Sequence, residues 1–352
     1  MPVWLADPLM MRKTVNATLR LTRPFGFTLL MTLAVLALLI ALLEGVARLS
    51  WVETHVPAAF GSTHPDIDTK FGELDALLNR AGRIDCIFVG SSMVRRGIDP
   101  IAFTRAYREQ TGQDLVCYNF GVAASRASSI GPLSDILVER YHPRLLIYGL
   151  SLRDLTGEPF QNEQQEAILA SPWLDYQFGS LNIRGWLIDH SESLRHFLAF
   201  HDWLLSKFED SVWCLDDWPC LGFSPTTTRT GGALIREPTP RKYKFTQVQW
   251  NGLKHFLSLR TQTQLLFVEM PASYRQVTSV KGGEETYRSF LYDVRDFIAG
   301  YDIPMFTTID LNLIPDSGWS DTYHLHQTGA EIFSAWLGDQ VGIAVKAGEL
   351  PR

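Results

Sequence analysis

The chain has 352 residues, 46% of them hydrophobic and 20% charged, with a formal net charge of −6. That balance excludes a disordered chain and a polytopic membrane protein. With no Lys/Arg-rich tract in its body, the sequence gives no footing for a nucleic-acid partner.

The N-terminus is the first distinctive element. Phe25 to Leu43 reads FGFTLLMTLAVLALLIALL, 19 residues without a charge, close to the ~20 a helix needs to cross a hydrocarbon core. Arg12, Lys13, Arg20 and Arg23 precede it, and Glu44, Arg48 and Glu53 follow. The basic excess before the span predicts a cytoplasmic segment at 1–24, a transmembrane anchor at 25–47 and the remainder outside, in the periplasm, on a cell inner membrane. A cleaved signal peptide is the competing reading. It would have a shorter apolar core and a small-residue cleavage site, for which PAAFG at Pro57–Gly61 is distant and poor.

A polar linker and a first helix ending at Gly82 fill 48–82. Strand and helix patterns then alternate. IDCIFVG is a short apolar run closed by Gly90. IDPIAFTRAYREQTG is a helix opened by Asp99 as cap and Pro100 at its first position. DLVCYNFG, SSIGPLSDILVERY and PRLLIYGLS follow as strand, helix and strand. The alternation pauses over an insertion at about 155–246, largely helical, with an exposed Thr/Pro/Gly stretch. It resumes with TQVQWNGLKHFLSLRTQ, TQLLFVEMP, GEETYRSFLYDVRDFIAGY, IPMFTTID and a last helix from TGAEIF onward. The fold class expected is α/β: a flavodoxin-like three-layer sandwich of about five parallel strands, occupying 83–352.

Ligands of such sheets bind beyond the carboxyl ends of the strands. There the sequence places Gly90-Ser91-Ser92, Asn119-Phe120-Gly121, Gly149-Leu150-Ser151, Met270-Pro271 and Asp310. A serine needs a base, most often an oriented histidine. Among nine histidines, His324 has its own acid three residues before it, Asp321, in SDTYHLHQTGAEIF after the last strand. This places Ser92, His324 and Asp321 on one rim. Two other readings stand beside it: Asp321 as a turn cap with His324 exposed, and Asp321, His324 and His326 as ligands of zinc or iron.

On these residues the chain resembles the SGNH (GDSL-like) hydrolases, over roughly Ile84 to Val345 apart from the insertion. VGSS at Val89–Ser92 is similar to the first block, NFGVAAS to the second, and DTYHLHQTG to the last; YGLSLRD stands where the third would be. The resemblance implies Ser92 as nucleophile, His324 and Asp321 as the rest of a triad, the amides of Gly121 and Ser92 as oxyanion donors, and no metal or organic cofactor. In the third block Ser151 stands where the family usually has asparagine, so Ser151 or Arg153 is left to supply that donor. The anchor makes it similar to bacterial membrane-bound members linked to surface-polysaccharide O-acetylation or teichoic acid D-alanylation, commonly paired with a membrane-bound O-acyltransferase. This implies an esterase or O-acyl transferase on surface glycans. An inactive accessory subunit of a membrane complex and a polysaccharide-binding module are the alternatives.

Other features have local readings. Cys214 and Cys220 suit a loop-closing disulfide outside the membrane. Cys86 and Cys117 read as small buried residues of neighbouring strands. Trp203, Trp213 and Trp218 read as local packing before sugar binding. Arg95 and Arg96 read as a solvated approach or a lure for an acidic polymer.

Overall fold

The computed structural model describes residues 8–157, 159–204, 221–227 and 244–350. Helix α1 (Pro8–Ala47) contains Phe25–Ala47, 23 residues of mean hydropathy 2.6, exposed along almost its whole length. At 1.5 Å per residue it is about 35 Å long, enough for a ~30 Å hydrocarbon core. It is the one helix of that kind among the described residues.

Beyond α1, the short helix α2 (Ser50–His55) leads to α3 (Pro65–Ala81), which ends on Gly82 in the left-handed conformation. The alternating unit follows: β1 (Cys86–Gly90), α4 (Ser92–Gly97), α5 (Pro100–Thr111), β2 (Cys117–Gly121), α6 (Ala127–Tyr141) and β3 (Leu145–Leu150). Asp99 caps α5, its carboxylate accepting from Ile101 N at 2.8 Å. The insertion contributes α7 (Pro159–Leu169), α8 (Pro172–Gln177), α9 (Ile183–His190) and α10 (Glu192–Leu204). Then come α11 (Gln247–Ser258), β4 (Gln264–Glu269), α12 (Tyr274–Thr278), α13 (Gly283–Ala299), β5 (Met305–Phe306) and α14 (Gln327–Ala347).

The five strands are all parallel, in the order β2-β1-β3-β4-β5. Side chains alternate across a strand, and the core divides accordingly. Ile87, Val89, Phe120, Leu146, Tyr148 and Phe267 pack under α3, α6, α11 and α13. Phe88, Ile147, Leu266 and Val268 pack against α5 and α14 through Phe103, Phe333 and Leu337. The result is helices, sheet, helices. The order reverses direction between β1 and β3, and in open α/β sheets the crevice at such a reversal is the ligand site; Ser91 and Ser92 stand at that end of β1.

Several expectations are corrected. Cys86 and Cys117 are buried on neighbouring strands as expected, and are in addition disulfide-bonded to each other, with Cα atoms 4.6 Å apart. They are the first paired residues of β1 and β2, so both side chains leave the same face directly opposite one another, at a separation ordinary for a disulfide. The last strand stops at Phe306, short of Asp310. Thr308 N and Ile309 N donate to the Glu269 carboxylate (2.7 and 3.0 Å) instead of to a neighbouring strand. Arg95 is not a solvated lure: its Nε pairs with Asp66 Oδ1 at 3.1 Å and its side chain is mostly covered. Trp203 is exposed and packs into no local core. Cys214, Cys220, Trp213 and Trp218 lie outside the described residues.

Candidate active site

Gly90 ends β1 with φ 154°, and a side chain there would run into Val94 and the Gly149 carbonyl. The bare backbone lets α4 start immediately above the strand. Ser91 caps α4, its hydroxyl accepting from Met93 N at 3.5 Å. Ser92 is the first helical residue and is half-buried. At that position its backbone N–H has no partner within the helix.

The last loop meets it. His324 lies in a tight reversal closed by pairing of Trp319 with Leu325 and by Ser320 N donating to His324 O at 3.0 Å. Ser273 pins the same loop, its hydroxyl donating to Thr322 O at 2.7 Å. Ser92 Oγ is 2.9 Å from His324 Nε2, and His324 Nδ1 is 2.8 Å from Asp321 Oδ2. The other carboxylate oxygen accepts from Tyr323 N and His324 N at 2.7 and 2.8 Å. Burial alone would raise the Asp321 pKa. The hydrogen bonds from His324 and Tyr323 outweigh it and bring the carboxyl down to about 2. A carboxylate held ionised accepts Nδ1–H, which leaves Nε2 as the acceptor for the serine proton.

Two residues support this constellation without any motif of their own. Asn119 is fully buried at β2. Its amide donates to Val94 O and Ile98 O (2.8 and 2.6 Å), fastening both turns of α4. Asp154 is buried in the 3-10 turn after β3 (Leu152–Leu155). Its carboxyl bonds the Ser91 hydroxyl and accepts from Ser151 N at 3.1 Å. Burial pushes its pKa up to about 6 against those bonds and the nearby charges of Arg153 and Arg126. Asp154 thus ties the end of β3 to the cap of α4, the helix that begins at Ser92.

The residues expected at the oxyanion site are differently placed. Gly121 N donates to Asn119 Oδ1 at 2.9 Å, so that amide is engaged. A side chain at Gly121 would strike the Arg95 backbone; the glycine is there for the close approach of α4. Ser151 is 2% exposed and caps the 3-10 turn, its hydroxyl oxygen accepting from Arg153 N at 3.3 Å. The Arg153 guanidinium lies 5.5 Å from the ring centre of Tyr323, the residue before His324. Among the described residues no carboxylate lies within salt-bridge distance of it.

Both ring nitrogens of His326 have partners other than Asp321. It caps α14 through Thr328 N and contacts Thr227 O at 3.2 Å. Among the described residues no three His, Cys, Asp or Glu side chains are grouped to hold a metal. The strap 221–227 of the insertion borders the site: Asn119 N donates to Leu221 O, Ser224 N to Arg95 O and Gln327 N to Thr226 O (2.8, 3.1 and 3.0 Å). A cavity of about 320 Å³ lined by Ser273, Tyr274, Asp310, Asn312 and Trp319 opens beside the Asp321–His324 loop; Ser92 does not line it.

No protein-family model matches this sequence, and no curated protein matches it. Among solved structures, a protein of Agrobacterium tumefaciens assigned as an arylesterase aligns at 10% identity and a TM-score of 0.34, over 75% of this chain and 99% of that one. An inhibitor-bound aryl esterase of M. smegmatis aligns at 13% identity and a TM-score of 0.33, over 73% of this chain and 98% of that one. Similarity at these scores is too weak to assign an activity.

Proposed function

We propose that the chain is a serine ester hydrolase or O-acyl transferase, anchored by α1 with its main domain outside the membrane. The observation that carries this reading is the unbroken relay from Ser92 through His324 to Asp321 at the carboxyl edge of the sheet. In the reaction, His324 Nε2 takes the Ser92 proton as Oγ attacks an acyl carbonyl. The alcohol leaves with that proton, and the acyl group stays on Oγ. Water or a sugar hydroxyl then attacks the acyl-enzyme, giving up its proton to the same nitrogen, and Ser92 is regenerated. The amide of Ser92 and the guanidinium of Arg153 are the donors proposed for the oxyanion, with the Ser151 hydroxyl behind them.

The Cys86–Cys117 disulfide supports a location outside the cytosol, where such bonds persist. Acylated surface glycans as substrates, and a membrane-bound acyltransferase as partner, follow from the motif resemblance and belong to the same proposal. A second reading, an inactive accessory subunit, draws on the engaged Gly121 amide and the capping role of Ser151.

One experiment separates the two readings. The full chain is treated with a fluorophosphonate probe beside Ser92→Ala and His324→Ala. Labelling of the wild type and its loss in both variants is the expected result. An unlabelled wild type, or labelling unchanged by Ser92→Ala, refutes the nucleophile and leaves the accessory reading.

A further inference from the structure

Helices α9 and α10 both present apolar side chains outward, and α10 also turns charged ones inward. The side of α10 turned to the body holds Arg195, Ala199 and Asp202, all buried. Arg195 pairs there with Asp75 and Glu192, and Asp202 stands against Asp68. The opposite side, half a turn round at 3.6 residues per turn, presents Phe197, Phe200 and Leu204, each more than half exposed. α9 is likewise apolar on its outer side, although the residues it buries are apolar too. Gly185 and Ile188 are buried, while Ile183, Trp186 and Leu187 point outward. Exposed apolar helix faces of this kind mark an interaction surface.

Its position identifies what it meets. The junction of the two helices is fastened to the last turn of α1. The Glu44 carboxylate accepts from Glu192 N and Ser193 N (3.0 and 3.2 Å) and from the hydroxyls of Ser191 and Ser193 (2.9 and 2.8 Å), capping α10. Arg48 Nη2 donates to His190 O at 2.8 Å. Glu44 lies three residues before the end of the apolar stretch at Ala47, so the junction sits about 4–5 Å inside that end at 1.5 Å per residue. Amphipathic helices lying in a bilayer interface are buried about 5–10 Å. The apolar face is rich in Phe and Leu and includes Trp186, a residue type favoured at that depth.

We propose that the α9–α10 pair is a second membrane contact, lying in the outer interface of the bilayer that α1 crosses, with its apolar face against the acyl chains. The inference rests on the reading of α1 as a membrane span. A span alone leaves the domain free to rotate and tilt; the hairpin beside it holds the domain, and the Ser92 cleft with it, at a fixed attitude to the lipid surface.

The test uses the full chain in phosphatidylethanolamine–phosphatidylglycerol vesicles containing a phospholipid with a photoactivatable diazirine on one acyl chain, with labelled peptides mapped by mass spectrometry. α14 is the internal control, because its Ile332 and Ile343 are exposed but lie on the opposite layer. The expected result is labelling of α1 and, at about tenfold the α14 level or more, of α9 and α10. Phe197→Glu with Phe200→Glu, at positions outside the buried core whose ring contacts among the described residues are with His201 and Trp203 of the same helix, then lowers α10 to the α14 level and leaves α1 unchanged. Labelled α1 with α9 and α10 at the α14 level overturns the hairpin contact and leaves the span standing. Absence of label from α1 as well overturns the span and the inference together. Unlabelled α9 and α10 that cross-link to a second copy assign the face to self-association and also overturn it.

Discussion

Replacing Asp321 by asparagine changes one atom and reverses the relay. Oδ1 can still accept from Tyr323 N and His324 N, so the new amide nitrogen is turned toward His324 Nδ1, where it donates. Nδ1 then becomes an acceptor, the ring proton moves to Nε2, and Nε2 meets Ser92 Oγ as a donor. It can no longer take the serine proton. In triads of this geometry the wrong tautomer costs about 10⁴ in rate, about 5.5 kcal/mol at about 1.4 kcal/mol per tenfold. The assay is the second-order rate of fluorophosphonate labelling, with hydrolysis of a small aryl acetate beside it. A rate within about tenfold of wild type would refute the relay. A structural readout accompanies the kinetic one. With its pKa lowered to about 2, Asp321 contributes stability that is present above the ordinary carboxylate range and lost as pH falls through 2. The side chain is 30% exposed, so solvent screening reduces that contribution to on the order of 1 kcal/mol. Thermal melts from pH 4 to 2 should fall less steeply in Asp321→Asn than in wild type.

Removing the disulfide as Cys86→Ala/Cys117→Ala opens a loop with a sequence separation of 31. Loop entropy predicts a loss of roughly 3–4 kcal/mol in urea unfolding, and a loss under about 1 kcal/mol contradicts the cross-link. Glu269 is buried, and burial raises its pKa to about 7 against bonds from Thr308 and Ile309; Asp154 is raised to about 6. A carboxyl with a raised folded pKa makes stability fall as pH rises from its unfolded value to its folded one. The wild-type melting temperature should therefore decline between about pH 4.5 and 7. Glu269→Gln should flatten that decline, and an unchanged slope removes Glu269 as its source. Arg153→Gln should lower kcat for a small acetyl ester by about 10² with folding intact. An unchanged kcat takes Arg153 out of the proposed oxyanion site.

The sheet was legible because each buried strand is a short apolar run, and four of the five proposed ends fall on glycine or polar residues. Ser92, Asp321 and His324 could be picked out because strand ends share a rim and because an acid stands three residues before one histidine. Asn119 and Asp154 could not be seen as supports of that rim, because their partners are backbone groups and a serine on other elements, with no spacing to betray them. The Cys86–Cys117 bond depends on the register of two parallel strands, which the crossover between them sets and neither cysteine reveals. The engaged Gly121 amide is of the same kind, since Asn119, two residues away, takes it only once α4 lies overhead. Periodicity finds an apolar stripe on α10, but not that its charged side is the one turned inward.

The bond between Ser92 and His324 joins residues 232 positions apart. In the orientation proposed for α1, Ser92, the proposed nucleophile, reaches the far side of the membrane early, and His324, its proposed base, among the last parts of the chain. A half-exported chain therefore carries an ordinary serine, inert toward every ester it passes. On the proposed triad and topology, reactivity switches on only when the whole domain has crossed and closed, so labelling of Ser92 would also time the completion of export.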